Sequence, residues 1–312
     1  MQALLKNKNL YGVITLLIVQ KYGGSSVADK ERIFNAASKI AASYDSGNNV
    51  VVIVSAQGNT TDMLIETANN IIIDAPKREL DMLLSTGEQQ SAALMSMALI
   101  SFGYKAISLN AWQAGIFTTD DYGNARITGI NTERIKHELS LGKIVIIAGF
   151  QGINNSMDIT TLGRGGSDTT AVAIAAALKA DKCEIYTDVN GIYTADPRIV
   201  PNAVLLESID YNVMLNYSSL GAKVLHNRSV ELAKNTGIDI SVKSSFSDNP
   251  GTLVLYFRGR AIFQYPLQSR VICGDHLRLV YHSDKASLRI HSPASSNFFG
   301  ERKYHSGFSV FT

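Results

Sequence analysis

The sequence predicts an α/β protein, a three-layer αβα sandwich built on a mostly parallel central sheet. Three observations predict it. Short, continuously aliphatic runs read as strands buried on both faces, amphipathic stripes between them read as helices, and glycine-rich polar clusters follow the strands.

The first run, Leu16-Leu17-Ile18-Val19, leads into a glycine turn at Gly23-Gly24. Ile33, Ala36, Ala37, Ile40, Ala41 and Tyr44 then recur at helical spacing, and Asp45-Ser46-Gly47-Asn48 stops that helix. Val50 to Val54 is the next strand, completing a βαβ unit whose crossover is expected to be right-handed. The pattern continues with a helix over Glu88–Phe102, a strand over Ala106–Leu109, a buried strand over Lys143–Ala148 and a helix over Asp168–Lys179. A strand at Cys183–Tyr186, a helix over Ala222–Asn235 and a strand at Ile238–Val242 complete it.

In such sheets ligands lie at the carboxyl ends of the strands. The polar clusters fall there: residues 21–26, 55–62, 149–152 with 163–168, and 187–193.

A chain of 312 residues has room for a large core, and 46% hydrophobic with 18% charged residues excludes the disordered and fibrous classes. Lys and Arg number 29 against 27 Asp and Glu, so the total charge gives no case for a nucleic-acid or membrane-surface partner. The charge is uneven: residues 256–312 carry eight Lys and Arg against three acids, net +5, and residues 1–255 carry 21 against 24, net −3. His276, His282, His291 and His305 also fall in that stretch. Cys183 and Cys273 lie far apart without ligand spacing, which fits small buried hydrophobes better than a disulfide or a zinc site. No apolar run approaches the ~20 residues of a membrane span, and Val13–Val19 runs into a glycine motif instead of a cleavage site. A cytoplasmic location follows as the expectation.

A glycine turn between strand and helix offers free N–H groups and the positive end of a helix dipole to an anion. Lys21 stands just before one such turn, although a Gly-Gly pair alone is more often just a tight turn. In Gly163-Arg164-Gly165-Gly166-Ser167-Asp168 the glycines allow close backbone approach and Arg164 can form a bidentate pair with a carboxylate or phosphate. Asp168 sits where a helix cap or first-turn acid belongs. Tyr193 and Arg198 could serve a nucleotide, or Asn190-Gly191 and Asp196-Pro197 could simply build turns. Lys223, read as opening a helix, is poorly placed for the dipole unless an anion is near. Cations at strand ends, glycine turns and the acids Glu88, Asp168 and Asp188 are the inventory of phosphoryl transfer. No general base stands out, and an acceptor carboxylate would need none.

Six ordered stretches carry a resemblance: Lys21–Ser26, Val54–Asp62, Ser85-Thr86-Gly87-Glu88, Gly163–Asp168, Tyr186–Arg198 and Gly221–His226. Together they resemble the aspartate kinase family of the amino-acid kinase fold. Glutamate, acetylglutamate and nucleotide-monophosphate kinases share that fold, but this motif set is similar to that of aspartate kinases. The resemblance implies ATP, Mg2+ and L-aspartate as cofactors and substrate, 4-phospho-L-aspartate as product, and the first step towards lysine, threonine and methionine.

By motif position, Lys21 would neutralise charge on the transferring phosphoryl group, with Tyr22, Gly23, Gly24 and Ser25 around the nucleotide. Ser55 and Thr61 would position the reacting carboxylate, Glu88 would receive the substrate ammonium, and Arg164, Gly165, Gly166 and Ser167 its α-carboxylate. Asp168 would orient the substrate or Lys21. Thr187, Asp188, Tyr193, Arg198, Lys223 and Val224 match nucleotide-binding positions, and no residue is assigned to the metal.

Asn227 stands where the family usually has proline. The organisation expected from the resemblance is an extension over residues 1–15, a catalytic domain over 16–255, and a basic tail over 256–312 where such chains continue into ACT regulatory modules. That tail would suit a divergent remnant or sequence read out of frame. A homodimer is also implied, weakened where those modules are missing. The competing readings are a kinase of this fold acting on another carboxylate, and a nucleotide-binding but catalytically impaired protein.

Overall fold

The computed structural model describes residues 15–222 and 224–256, and three strands further on. In chain order the elements are β1 (Leu17–Tyr22), α1 (Lys30–Asp45), β2 (Asn49–Val54), α2 (Thr60–Ile71), α3 (Lys77–Ser101), β3 (Ala106–Leu109), β4 (Ile116–Thr118) and β5 (Ile127–Ile130). They continue with α4 (Glu133–Ser140), β6 (Ile144–Ala148), β7 (Gln151–Ile153), β8 (Ile159–Thr161), α5 (Gly166–Leu178), β9 (Lys182–Thr187), β10 (Ser208–Asp210), α6 (Tyr211–Ser219), α7 (Asn227–Thr236), β11 (Ile240–Ser244) and β12 (Thr252–Leu255).

Among the described residues one sheet runs β10-β12-β11-β9-β1-β2-β6-β3, parallel throughout except where β12 runs against β11. Its strands read as unbroken aliphatic runs because both faces are covered. Val51, Ile53, Val145 and Ile147 pack towards Ala171, Val172 and Ala175 of α5 and Val230 and Ala233 of α7. Val50, Val52, Val54, Ile144 and Ile146 pack the other way, against Ile33, Ala37 and Ile40 of α1 and Met95 and Leu99 of α3. The stripe on α1 is thus the buried face, and its start is fixed by the Asp29 carboxylate accepting from the Arg32 N–H at 2.9 Å. Ile146→Ala in the middle of β6 is expected to cost about 2–5 kcal/mol in urea unfolding, because the fully buried side chain packs under α1 and α3 between β2 and β3 and its loss leaves a cavity.

Several elements depart from expectation. Helix α3 begins at Lys77 instead of Glu88, because its first half buries Asp81, Ser85, Gly87 and Glu88 and so shows no apolar stripe. Helix α7 begins at Asn227 instead of Ala222, since Gly221 at φ 100° ends the preceding helix and the chain must extend before restarting. A second sheet, β5-β4-β7-β8, was not foreseen, because its three- and four-residue strands are held largely by polar residues. In the basic tail, where little periodicity was expected, β13 (Val271–Cys273), β14 (Leu277–His282) and β15 (Ser287–His291) form an antiparallel sheet. Leu279 opposite Ile290 and Tyr281 opposite Leu288 supply the alternation. Other expectations for residues 1–14 and 257–312 lie outside the described residues. Among the described residues no helix is long and apolar enough to cross a membrane. Cys183 is buried in the core, where desolvation raises its thiol pKa, as suits a small hydrophobe.

Candidate active site

The polar clusters open along one edge because the strands that precede them are in register. Tyr22 lies beside Val54 and Tyr186, and Val54 beside Ala148, so the loops after β1, β2, β6 and β9 emerge together. From β1 the chain crosses to β2 over the α1 face, whereas α5 covers the opposite face, making the end of β1 a topological switch point. Backbone contacts lock the loops: Gly23 N–H donates to Tyr186 O at 3.3 Å, Ser55 N–H to Tyr22 O at 3.1 Å, Gly58 N–H to Gly24 O at 3.0 Å and Gly149 N–H to Val54 O at 3.0 Å. A Cβ on Gly24 would stand 2.6 Å from the Ala56 carbonyl oxygen. Gly24→Ala must therefore push the β1 and β2 loops apart, and is expected to lower Tm, measured by circular dichroism, by several degrees.

At the centre Lys21 Nζ lies 2.6 Å from Asp168 Oδ1, each side chain 12% exposed. Asp168 is the third residue of α5, where an acid is favoured by the helix dipole. The pair leaves a lysine ammonium fixed beside a glycine turn and a helix N-terminus, the arrangement that holds phosphate oxygens.

Glu88 reaches the same region from mid-α3. It is 4% exposed, its Oε1 accepts the Ala56 N–H at 3.0 Å, and its Oε2 is buried without a hydrogen-bond partner. Burial pushes its pKa up to about 7, the Ala56 bond opposing that only in part. A half-satisfied buried carboxylate is a receptor for a cation.

The turn before α5 carries Gly163 at φ 75° and Gly165 at φ 70°, both left-handed. Gly166 and Ser167 are buried at the helix start, with Ser167 against Gly149, and Arg164 is exposed and makes no ion pair among the described residues. Ser55 and Thr61 are half-buried, on the loop after β2 and in the first turn of α2. Ser25 is half-buried in a short 3-10 turn after Gly23, where its carbonyl accepts from Arg32.

Other expected residues lie differently. Tyr22 is fully buried and stacks on Tyr186 with ring centroids 4.7 Å apart, on the α1 face of the sheet. Its ring therefore cannot meet a nucleotide; the alternation of β1 sends Lys21 to one face and Tyr22 to the other. Thr187, half-buried, ends β9 and Asp188, exposed, follows it, with the Thr187 hydroxyl donating to the Asp188 carboxylate at 3.1 Å. Tyr193 is half-buried in a bridge with Leu205, and Arg198 projects into solvent with its fork bidentate to Asp196 at 3.0 and 2.7 Å. That fork would have to leave Asp196 to serve a nucleotide. Val224 packs its side chain onto the apolar core, and Lys223 lies outside the described residues. Among the described residues no three His, Cys, Asp or Glu side chains gather to hold a metal ion.

A sequence profile of the Amino acid kinase family matches residues 17–244. The chain belongs to the amino acid kinase family. It is 57% identical over 238 residues to an aspartokinase of Bacillus sp. (strain MGA3), covering 76% of this chain but only 58% of that protein. Among solved structures it is similar to an aspartate kinase from Synechocystis, at TM-score 0.70 and 49% identity, covering 81% of this chain and 42% of that one. It is also similar to E. coli aspartokinase III in complex with aspartate and ADP, at TM-score 0.69 and 27% identity, covering 78% of this chain and 65% of that one. The chain thus spans a little over half the length of the Bacillus relative.

Within this amino acid kinase site, three residues that carried no expected role, Asp81, Arg228 and His226, brace the segments beside the Gly163–Ser167 turn. Asp81 is buried on α3 and accepts from Gly123 N–H and Thr161 N–H at 2.8 Å each and from Thr161 Oγ1 at 2.6 Å. Arg228 on α7 donates to Leu162 O at 2.9 Å and Asn124 Oδ1 at 2.6 Å, and the His226 ring packs against Gly165. Desolvation raises the Asp81 pKa and these bonds oppose it. A single acid on a helix and a lone arginine carry no spacing signal, so only the fold could reveal them.

Proposed function

We propose that this chain is an aspartate kinase, transferring the γ-phosphoryl group of ATP to the side-chain carboxylate of L-aspartate to give 4-phospho-L-aspartate and ADP. The observation that carries the reading is Glu88, a buried carboxylate with one oxygen unpartnered beside the Lys21–Asp168 pair's loops. A phosphoryl acceptor without an ammonium would leave that oxygen orphaned, whereas the α-ammonium of aspartate would satisfy it. The aspartokinase relatives and their names support the same assignment.

In this reading Arg164 takes the α-carboxylate, and Ser55 and Thr61 steady the reacting one. That carboxylate is ionised at neutral pH, so one of its oxygens attacks phosphorus directly with no base. The new O–P bond forms as the bond to the β–γ bridging oxygen breaks, and that electron pair leaves on ADP. Lys21 offsets charge on the transferring oxygens, Asp168 fixes its ammonium, and the N–H groups around Gly23 and Gly24 receive phosphate. The site's donors suit polyphosphate. Mg2+, which takes few protein ligands when phosphates are present, would supply charge neutralisation there, and Asp168, paired to Lys21, is a carboxylate that would hold it.

ADP release measured with L-aspartate, L-glutamate, N-acetyl-L-glutamate and succinate tests the assignment. Turnover with L-aspartate alone is expected; faster turnover with another acceptor would replace it, and none with any would favour a nucleotide-binding, catalytically impaired protein.

A further inference from the structure

Gln151 opens β7 and is completely buried, yet its Oε1 has no hydrogen-bond partner. The rest of its amide is held: Nε2 donates to the Ser85 carbonyl at 2.9 Å, which fixes the oxygen as the free end. Ser85 is three residues before Glu88 on the buried face of α3, a rise of roughly 4.5 Å. Asp81, Ser85 and Glu88 therefore line one helical edge, facing Thr161, Gln151 and Ala56 in turn. Gln151 Oε1 and Glu88 Oε2 are thus two buried acceptors lacking a donor, and the amide of the first is anchored on α3 about one turn before the second's residue. Two such acceptors tied to one stretch of α3 call for one group that donates several N–H bonds, and a primary ammonium does so.

We infer that Gln151 is a specificity-determining residue, its Oε1 receiving the substrate's α-ammonium jointly with Glu88. This rests on the aspartate kinase reading, and makes discrimination between an α-amino dicarboxylate and its deaminated analogue a property of two side chains, one from helix α3 and one from strand β7. A neutral amide suits the second position: a second carboxylate there would resist ionisation beside Glu88.

Calorimetric titration of the full chain, in the presence of a non-hydrolysable ATP analogue, with L-aspartate and separately with succinate tests this. The proteins compared are the parent, Gln151→Met and Glu88→Gln. Gln151→Met is expected to weaken aspartate binding by about 10–100-fold, since a hydrogen bond to a charged group is lost, and to leave succinate binding unchanged. An equal loss of both ligands would mean the amide serves only the fold through Ser85, and would overturn the inference. So would unchanged aspartate binding in Gln151→Met while Glu88→Gln loses it, leaving the kinase reading intact. Failure of the parent chain to bind aspartate would defeat the reading itself.

Discussion

Lys21→Ala is expected to lower kcat for ADP formation with L-aspartate by on the order of 10³-fold, with a much smaller change in KM for either substrate. The ammonium sits at the end of β1 beside the glycine turn, held by Asp168 at 2.6 Å, so it is preorganised and costs no rearrangement when charge moves onto the transferring oxygens. Removing it also leaves Asp168 with no cation in a mostly buried position, and a fall in Tm accompanies the loss of rate. Circular dichroism at the assay temperature separates the two effects. Asp168→Asn keeps the shape and the ammonium, and its smaller loss of kcat measures what fixing Lys21 is worth. A Lys21→Ala protein retaining more than a tenth of the parent kcat would contradict the role.

Glu88 should make both stability and aspartate binding depend on pH, in opposite directions. Burial lifts its pKa from an ordinary 4.5 to about 7 in the folded chain. Between those values the folded chain binds more protons than the unfolded one, so stability present in full below pH 4.5 is lost as pH rises to about 7, by about 3 kcal/mol. Glu88→Gln, neutral throughout, removes that slope and is expected to be the more stable protein at pH 8. Aspartate binding runs the other way, because the ammonium needs the ionised carboxylate. Affinity should climb about tenfold per pH unit up to pH 7 and then level. In Glu88→Gln it should be weaker and flat, and a flat profile in the parent chain from pH 5.5 to 8 would remove Glu88 from the substrate.

The parts of this molecule legible in its sequence are those where physics writes a repeating pattern. Strands β2 and β6 are unbroken Val and Ile runs because helices cover both faces, and α1 shows its stripe because only one of its faces is buried. The glycine turns after β1 and before α5 stand out for the same reason: Gly24 and Gly165 have no space for a Cβ. Helix α3 was half-missed because its site-facing residues, Asp81, Ser85 and Glu88, are polar and buried, the inverse of the pattern that marks a helix. The second sheet was missed for a related reason, since Gln151, Thr160 and Thr161 are buried through hydrogen bonds. The Tyr22 ring lies on the α1 face because β1 runs through Tyr22 and not only to Val19, and a strand sends neighbours to opposite faces. Residues whose work is to hold another residue, Asp81 and Arg228 among them, became visible only once the fold brought distant segments together.

Hydroxylamine trapping of the acyl phosphate tests the central claim most directly, because only a carboxylate phosphorylated by ATP yields aspartyl hydroxamate. The purified chain with ATP, Mg2+ and L-aspartate is predicted to form hydroxamate in proportion to ADP, and to form none without ATP or in Lys21→Ala. Hydroxamate no greater than in Lys21→Ala, from a folded chain that binds ATP, would contradict it.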